Sequence, residues 1–319
     1  MLISILLTIA GFALLIKCAD FFVMGAASFA RNLKVSTAVI GLTVVAFGTS
    51  APELAISFSS HITGNVDMLF GNVIGSNIGN ILLILGLAIV IKPIKCHDNL
   101  VYKEIPILML VTMGASVLIL DNLFDFTMQN SLARSDGIIL ILLFGVFAYY
   151  LVTLLAKDKN KTMLIEKPKW KIPKSTITMI AGLAGIIVGS NLIVDNLASI
   201  AEAIGISQKV ISVTIVSIGT SLPELVTTVT AAKKGEHGMA IGNIIGSNLF
   251  NTGIVLGLPV VILGGAATTA FNIIDAAFML FAVILLWVFA SSDRLLKRRE
   301  GLVFLGVYAT YLTYVLLYQ

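Results

Sequence analysis

Charge is what this sequence has least of. Asp, Glu, Lys and Arg make up only 12% of its 319 residues, where a soluble domain carries roughly a quarter. Hydrophobic residues account for 58%, the mean hydropathy is +1.01, and runs such as 139–156 and 279–290 are free of charge. One membrane span needs about 20 apolar residues, so the chain is a polytopic membrane protein, which excludes a soluble enzyme with deeply buried helices. Cysteine is almost missing too. Cys18 and Cys96 stand singly with no CxxC spacing, which excludes a disulfide framework or a zinc cluster and leaves two small buried hydrophobes. Of the three histidines, His61 and His97 fall in connecting regions and His237 in a short loop, none with metal-ligand company. The first 16 residues lack a basic start and a cleavage site, so they are expected to form the first span and not a signal peptide.

Ten all-alpha spans are expected, near 2–22, 37–59, 68–90, 102–120, 137–156, 174–196, 210–231, 239–262, 271–290 and 301–318, the sixth extending toward 203. The net charge of +4 would raise the question of a nucleic-acid partner in a cytosolic protein. Its distribution answers otherwise. The connections between spans 1–2, 3–4, 5–6, 7–8 and 9–10 hold 18 of the 21 basic residues, seven of them lysines at 157–174. The opposite connections hold Arg134 and Lys209 among Asp67, Asp121, Asp125, Asp136 and Glu202. The positive-inside rule places both termini outside and the lysine-rich loop in the cytoplasm of a multi-pass cell-membrane protein. Asp20 is expected to pair with nearby Lys17 at the interface, and Asn191 and Asp195 to border a route into the protein.

The chain also repeats itself. Residues 41–54 match 212–225 at 8 of 14 positions, and 71–80 match 242–251 at 7 of 10, both at an offset of 171. Five spans per unit is an odd number, so the second unit enters the membrane inverted. The expected division is a first repeat at 1–156, a cytoplasmic loop at 157–173 and a second repeat at 174–319. Inverted repeats meeting at the midplane are a transporter architecture, though a channel or a membrane enzyme can also be duplicated.

The repeated pieces are "GTSAPE" at 48–53 with "GNVIGSNIGN" at 71–80, and "GTSLPE" at 219–224 with "GNIIGSNLFN" at 242–251. Pro52 and Pro223 interrupt their spans and free backbone oxygens around Ala46–Gly48 and Ser217–Gly219. Those oxygens need partners: an ion, or simply neighbouring helices around a kink. Glu53 and Glu224 sit mid-span, where a lone carboxylate is costly; each is either protonated and hydrogen-bonded or paired with a cation. Two carboxylates drawn together favour a divalent ion, and an oxygen-only donor set suits Ca2+ or an alkali cation. Asn72, Ser76 and Asn80, and likewise Asn243, Ser247 and Asn251, share one helix face. Such stripes serve either as glue between helices or, at Ser76, Asn80, Ser247 and Asn251, as neutral ion ligands. Gly182, Gly185 and Gly189 signal close helix packing.

These paired motifs in an inverted ten-span chain resemble the calcium/sodium antiporters of the cation/Ca2+ exchanger superfamily. The resemblance implies a sodium/calcium exchanger-like fold and a transporter, not an enzyme, in which Na+ entry expels Ca2+ by alternating access. It implies Glu53 and Glu224 as central Ca2+ ligands with Thr49 and Thr220 beside them. Ser50, Ser76, Asn80, Ser221, Ser247 and Asn251 would complete sodium positions, with carbonyls near Ala46 and Ser217. The first and sixth spans would slide to switch access. Prokaryotic members similar to this chain carry Asp where Asn251 stands, so the site here has two carboxylates. H+/Ca2+ antiport and K+-linked exchange are the alternatives. No tightly bound cofactor is expected; the partners are Ca2+, Na+ and membrane lipid, with no nucleic acid, and the functional unit is a monomer.

Overall fold

The computed structural model describes residues 1–124, 129–159, 167–205, 217–268 and 271–318. Asp125, Lys209, the stretch 160–166 and the expected seventh span up to residue 216 lie outside the described residues. In hydrocarbon every backbone N–H and C=O needs an internal partner, so the long apolar runs fold as helices. They are α1 (Leu2–Leu33), α3 (Val66–Ile91), α4 (Leu100–Ile119), α5 (Arg134–Lys159), α6 (Ile172–Ala203), α8 (His237–Leu263), α9 (Ile273–Asp293) and α10 (Arg298–Tyr318). All eight are long and apolar enough to cross a membrane. Two more helices are broken. α2 divides into Thr37–Thr49 and Ala51–Ile62 with a 42° bend, and α7 into Ser217–Thr220 and Leu222–Lys234. α1 and α6 each run for 32 residues; α1 passes the expected end of its span at 22, and α6 ends at Ala203, where the extension of its span was expected.

The internal repeat returns in the packing of α1 on α6. A Cβ placed on Gly11 would lie 2.9 Å from the Ile193 side chain and 3.1 Å from the Gly189 carbonyl. A Cβ on Gly182 would lie 2.8 Å from Phe22 Cα and 2.9 Å from the Cys18 carbonyl. At the offset of 171, Gly11 corresponds to Gly182, Phe22 to Ile193 and Cys18 to Gly189. These are the same contacts exchanged between repeats, as a two-fold axis requires.

Four short strands show how the repeats are turned. β1 (Ile94–Lys95), after α3, pairs antiparallel with β4 (Leu295–Leu296), before α10. β2 (Asn130–Leu132), before α5, pairs with β3 (Ala266–Thr268), after α8. Each repeat gives its first strand to the other's second. α4 separates β1 from β2 across the bundle, so the equivalent strands β1 and β3 lie on opposite faces, and the second repeat is inverted. Side chains extend the same partition. On the β1–β4 face Arg31 donates to Glu236 at 2.7 Å, Asn32 to the Trp170 carbonyl at 2.7 Å, and Lys92 to the Lys233 carbonyl at 3.0 Å. The described parts of the five basic connections therefore gather on one face. On the other, Thr268 donates to Asp67 at 2.7 Å and Asn130 to the Phe271 carbonyl at 2.8 Å.

α3 and α8 form the buried centre, while α1, α5 and α10 expose Leu, Ile and Val along most of their length, the surface expected against lipid. Asp20 departs from expectation: it pairs with Lys234 of α7 at 3.0 Å, not with Lys17.

Candidate ion-binding site

Ser50 (φ −86°, ψ 9°) and Ser221 (φ −89°, ψ 5°) break α2 and α7 in the same way. Pro52 and Pro223 then fall in the first turn of a new half-helix, where a missing N–H leaves no bond unmade. The prolines therefore start helices here and do not distort the middle of one. Glu53 and Glu224 follow in those first turns, where the positive end of the helix dipole favours a carboxylate. The Ala46 carbonyl is engaged, not idle: it accepts from Ser50 N at 3.0 Å and lies 3.2 Å from Thr49 Oγ1 and 3.4 Å from Ser247 Oγ. Ser217 opens the short helix Ser217–Thr220 on the other side.

Both carboxylates are buried, Glu53 at 1% exposure and Glu224 at 0%. Glu224 Oε1 accepts from Ser50 Oγ at 2.8 Å and from Ser247 Oγ at 3.4 Å, so a serine of the first repeat holds a glutamate of the second. The mirrored serines instead bond each other, Ser221 Oγ to Ser76 Oγ at 3.4 Å. Among the described residues, neither Glu53 oxygen, nor Glu224 Oε2, has a hydrogen-bond partner. Burying such oxygens is costly unless something neutralises them. Thr49, Asn80 and Asn251 are also buried, and both amide atoms of Asn251 are unpartnered. Thr220 is half-buried nearby. The site thus combines two carboxylates with neutral hydroxyl, amide and carbonyl oxygens, the donor chemistry of hard cations. Among the described residues, no three of His, Cys, Asp and Glu cluster as a metal site.

The asparagine stripes divide into braces and open groups. Asn72 donates to the Glu53 carbonyl at 3.1 Å and Ser57 at 3.3 Å, and Asn243 donates to Thr228 at 2.9 Å. Ser57 and Thr228 are equivalent across the repeat, so each asparagine ties its helix to the glutamate-bearing half-helix beside it. Sequence reasoning passed over a third group. Asn80 donates to Asn248 at 2.9 Å, Asn248 to the Asn77 carbonyl at 3.0 Å, and Asn77 to Thr252 at 2.8 Å. This buried network fastens α3 to α8. Its signal was present in the duplicated "GSN", in which Asn77 and Asn248 correspond. π-helical turns at Asn80–Leu85 and Asn251–Leu256 begin on equivalent asparagines, and such turns recur at functional sites.

A cavity of about 460 Å³ approaches the site between α6 and the broken helices. Pro52, Ile56, Ser190, Asn191, Thr220 and Pro223 are among its walls. The expected route past Asn191 is present, whereas Asp195 lies outside the lining.

The inverted halves, broken helices and buried carboxylates at their junction are those of a membrane transporter. The chain belongs to the sodium/calcium exchanger protein family, whose model matches residues 3–153 and 174–317. It is 36% identical to the putative antiporter CaxA of Alkalimonas amylolytica, over 98% of each chain. It is 30% identical to the sodium/calcium exchanger MaX1 of Methanosarcina acetivorans, over 97% of each. Among solved structures, the sodium-calcium exchanger NCX_Mj soaked with Na+ and Sr2+ superposes with a TM-score of 0.84 at 34% identity, covering 97% of both chains.

Proposed function

We propose that this chain exchanges Na+ for Ca2+ across a cell membrane by alternating access, as a secondary active antiporter. The observation that carries the reading is the meeting of Glu53 and Glu224 from opposite repeats in one buried, oxygen-lined site, with unpartnered carboxylate oxygens. Ca2+ occupies the glutamate centre. Na+ takes oxygens of Ser50, Ser76, Asn80, Ser221, Ser247 and Asn251, with Thr49, Thr220 and the carbonyls of Ala46 and Ser217 alongside. Simultaneous full occupancy is disfavoured, and that reciprocal linkage couples the fluxes. The names of the antiporter and exchanger relatives support the reading.

Residues 1–156 and 174–319 act as the two repeats, joined by the loop 157–173. Both termini lie outside and the loop in the cytoplasm, because the face gathering the basic connections is the inner one. The cavity at Asn191 then opens outward, since Ile56 and Asn191 lie toward the ends of α2 and α6 remote from that face. Every proposed ligand comes from one chain, so a monomer is the working unit.

The test is radiolabelled Ca2+ uptake into Na+-loaded liposomes diluted into choline, with and without a pH gradient. Uptake that follows the Na+ gradient and survives collapse of the pH gradient is the expected result; uptake driven only by the pH gradient would transfer the chain to proton coupling. Asn251→Asp is expected to change the Na+ dependence of uptake severalfold while leaving maximal Ca2+ transport within about twofold, because it adds charge among unpartnered buried groups. An unchanged Na+ titration would make Asn251 a packing residue.

Asn248→Ala should act differently. It removes the centre of the network that fastens α3 to α8 and strands the Asn80 amide. Thermal unfolding in detergent is expected to show destabilisation by about 1–3 kcal/mol, and an unchanged melting profile would contradict the network's structural role.

A further inference from the structure

The two-fold relation lets the two sides of this molecule be compared residue by residue, and they are not built alike. The cavity is walled by Ile56 of α2 and by Ser190 and Asn191 of α6. At the offset of 171 their counterparts are Thr227 of α7 and Ala19 and Asp20 of α1. There the packing is shut: Ala19 and Thr227 are fully buried, and Lys234 Nζ lies 3.0 Å from Asp20 Oδ1. About three turns further along α1, Arg31 Nη2 meets Glu236 Oε1 at 2.7 Å. On the open side the residues equivalent to Asp20, Lys234, Arg31 and Glu236 are Asn191, Thr63, Glu202 and Asn65. Each counterpart pair keeps at most one charge, so neither ion pair can form in the corresponding place.

We propose that Asp20–Lys234 and Arg31–Glu236 form a one-sided latch that holds α1 against the α7–α8 hairpin and sets the resting state open on the Asn191 side. The inference rests on the alternating-access reading. Sliding α1 by one helical turn, about 5.4 Å, carries Asp20 and Arg31 out of reach of their partners, so the oppositely open state has both pairs broken. Neither of these two ion pairs has a counterpart to be broken when the Asn191 side closes and reopens. The side chains of Asp20 and Lys234 are 43% and 31% exposed, which makes this pair modest and screened by salt. It is a bias, not a lock, and its removal is expected to shift the ratio of the two states about threefold to fivefold.

Single cysteines at the equivalent positions, Ile56→Cys and Thr227→Cys, test it in a background of Cys18→Ala and Cys96→Ala. The readout is the rate of reaction with a membrane-impermeant maleimide applied from either side of proteoliposomes. Cysteine at 56 should react faster in the otherwise native chain. Adding Lys234→Gln should raise the rate at 227 relative to that at 56 about threefold or more, and the charge exchange Asp20→Lys with Lys234→Asp should restore it. Arg31→Gln should act in the same direction and decides the matter if Lys234→Gln does not fold. An unchanged ratio in the folded variant overturns the latch. Labelling requires no ion flux, so a shifted ratio without Na+-driven uptake would count against the exchange reading alone.

Discussion

Glu53→Gln is expected to lower Na+-driven Ca2+ uptake at least a hundredfold while the protein still runs as one folded species. The substitution keeps shape and removes charge. Among the described residues neither Glu53 oxygen makes a hydrogen bond that would be lost; what disappears is a carboxyl group, buried at 1% exposure, that can carry the charge a divalent ion needs. A hundredfold loss corresponds to about 2.7 kcal/mol, well within what a divalent ion loses when one of two carboxylates goes. Without Ca2+ the variant is expected to melt no lower than the native chain, since burying a neutral amide costs less than burying a carboxylate. Added Ca2+ should stabilise the native protein and no longer the variant. Glu224→Gln should also abolish uptake, but its amide must replace the oxygen that accepts from Ser50 and Ser247, so a lower melting temperature is expected there. Retained Ca2+ uptake in either variant would sink the assignment.

The second large effect is expected at Gly182. A Cβ there would stand 2.6 Å from Phe22 N and 2.9 Å from the Cys18 carbonyl, backbone atoms that cannot rotate aside. Gly182→Leu must therefore push α6 off α1 along the contact that joins the two long helices. Overpacking alone costs about 1–3 kcal/mol, and here it also breaks the match with Gly11 on the same seam. Most of the folded yield in detergent should be lost, and the remainder should melt well below the native chain by size-exclusion after heating. Gly145→Ala is the comparison. A Cβ at Gly145 meets nothing within 4 Å, and an alanine in that exposed helix should be neutral or slightly stabilising. Equal yields for the two variants would mean that the seam tolerates separation.

Much of this was legible in the sequence because it was written twice. Glu53 with Glu224, and Ser50 with Ser221, could be matched on paper: the repeat gave their equivalence and the odd span count gave the inversion. The close seam was announced by Gly182, Gly185 and Gly189, whose spacing puts them on one helix face. Contacts decided by which face meets which neighbour stayed hidden. Asn77 sits beside Ser76 in the same motif, yet only the crossing of α3 over α8 aims its amide at Thr252. Asp20 had Lys17 three residues away, and nothing local favours Lys234, which the fold brings to 3.0 Å. α1 extends through Arg31 and Asn32 because Glu236 and Trp170 receive those polar side chains; a span judged by apolarity alone stops earlier. The four strands were invisible, since two or three residues give no alternation to detect.

The exchanged strands bear on how such a chain is made. When the ribosome has released only the first repeat, β1 and β2 have no partners, for those lie in segments not yet synthesised. Both edges must wait, unpaired, at opposite faces of the bilayer until β3 and then β4 emerge. Pairings between distant parts of a chain are the slow ones to form, and unpaired edges invite wrong partners. Ile94–Lys95 and Asn130–Leu132 are short, which leaves little edge for a stray chain to capture during that wait. The closing of β4 on β1, last in the order of synthesis, is the step at which two inserted halves become one molecule.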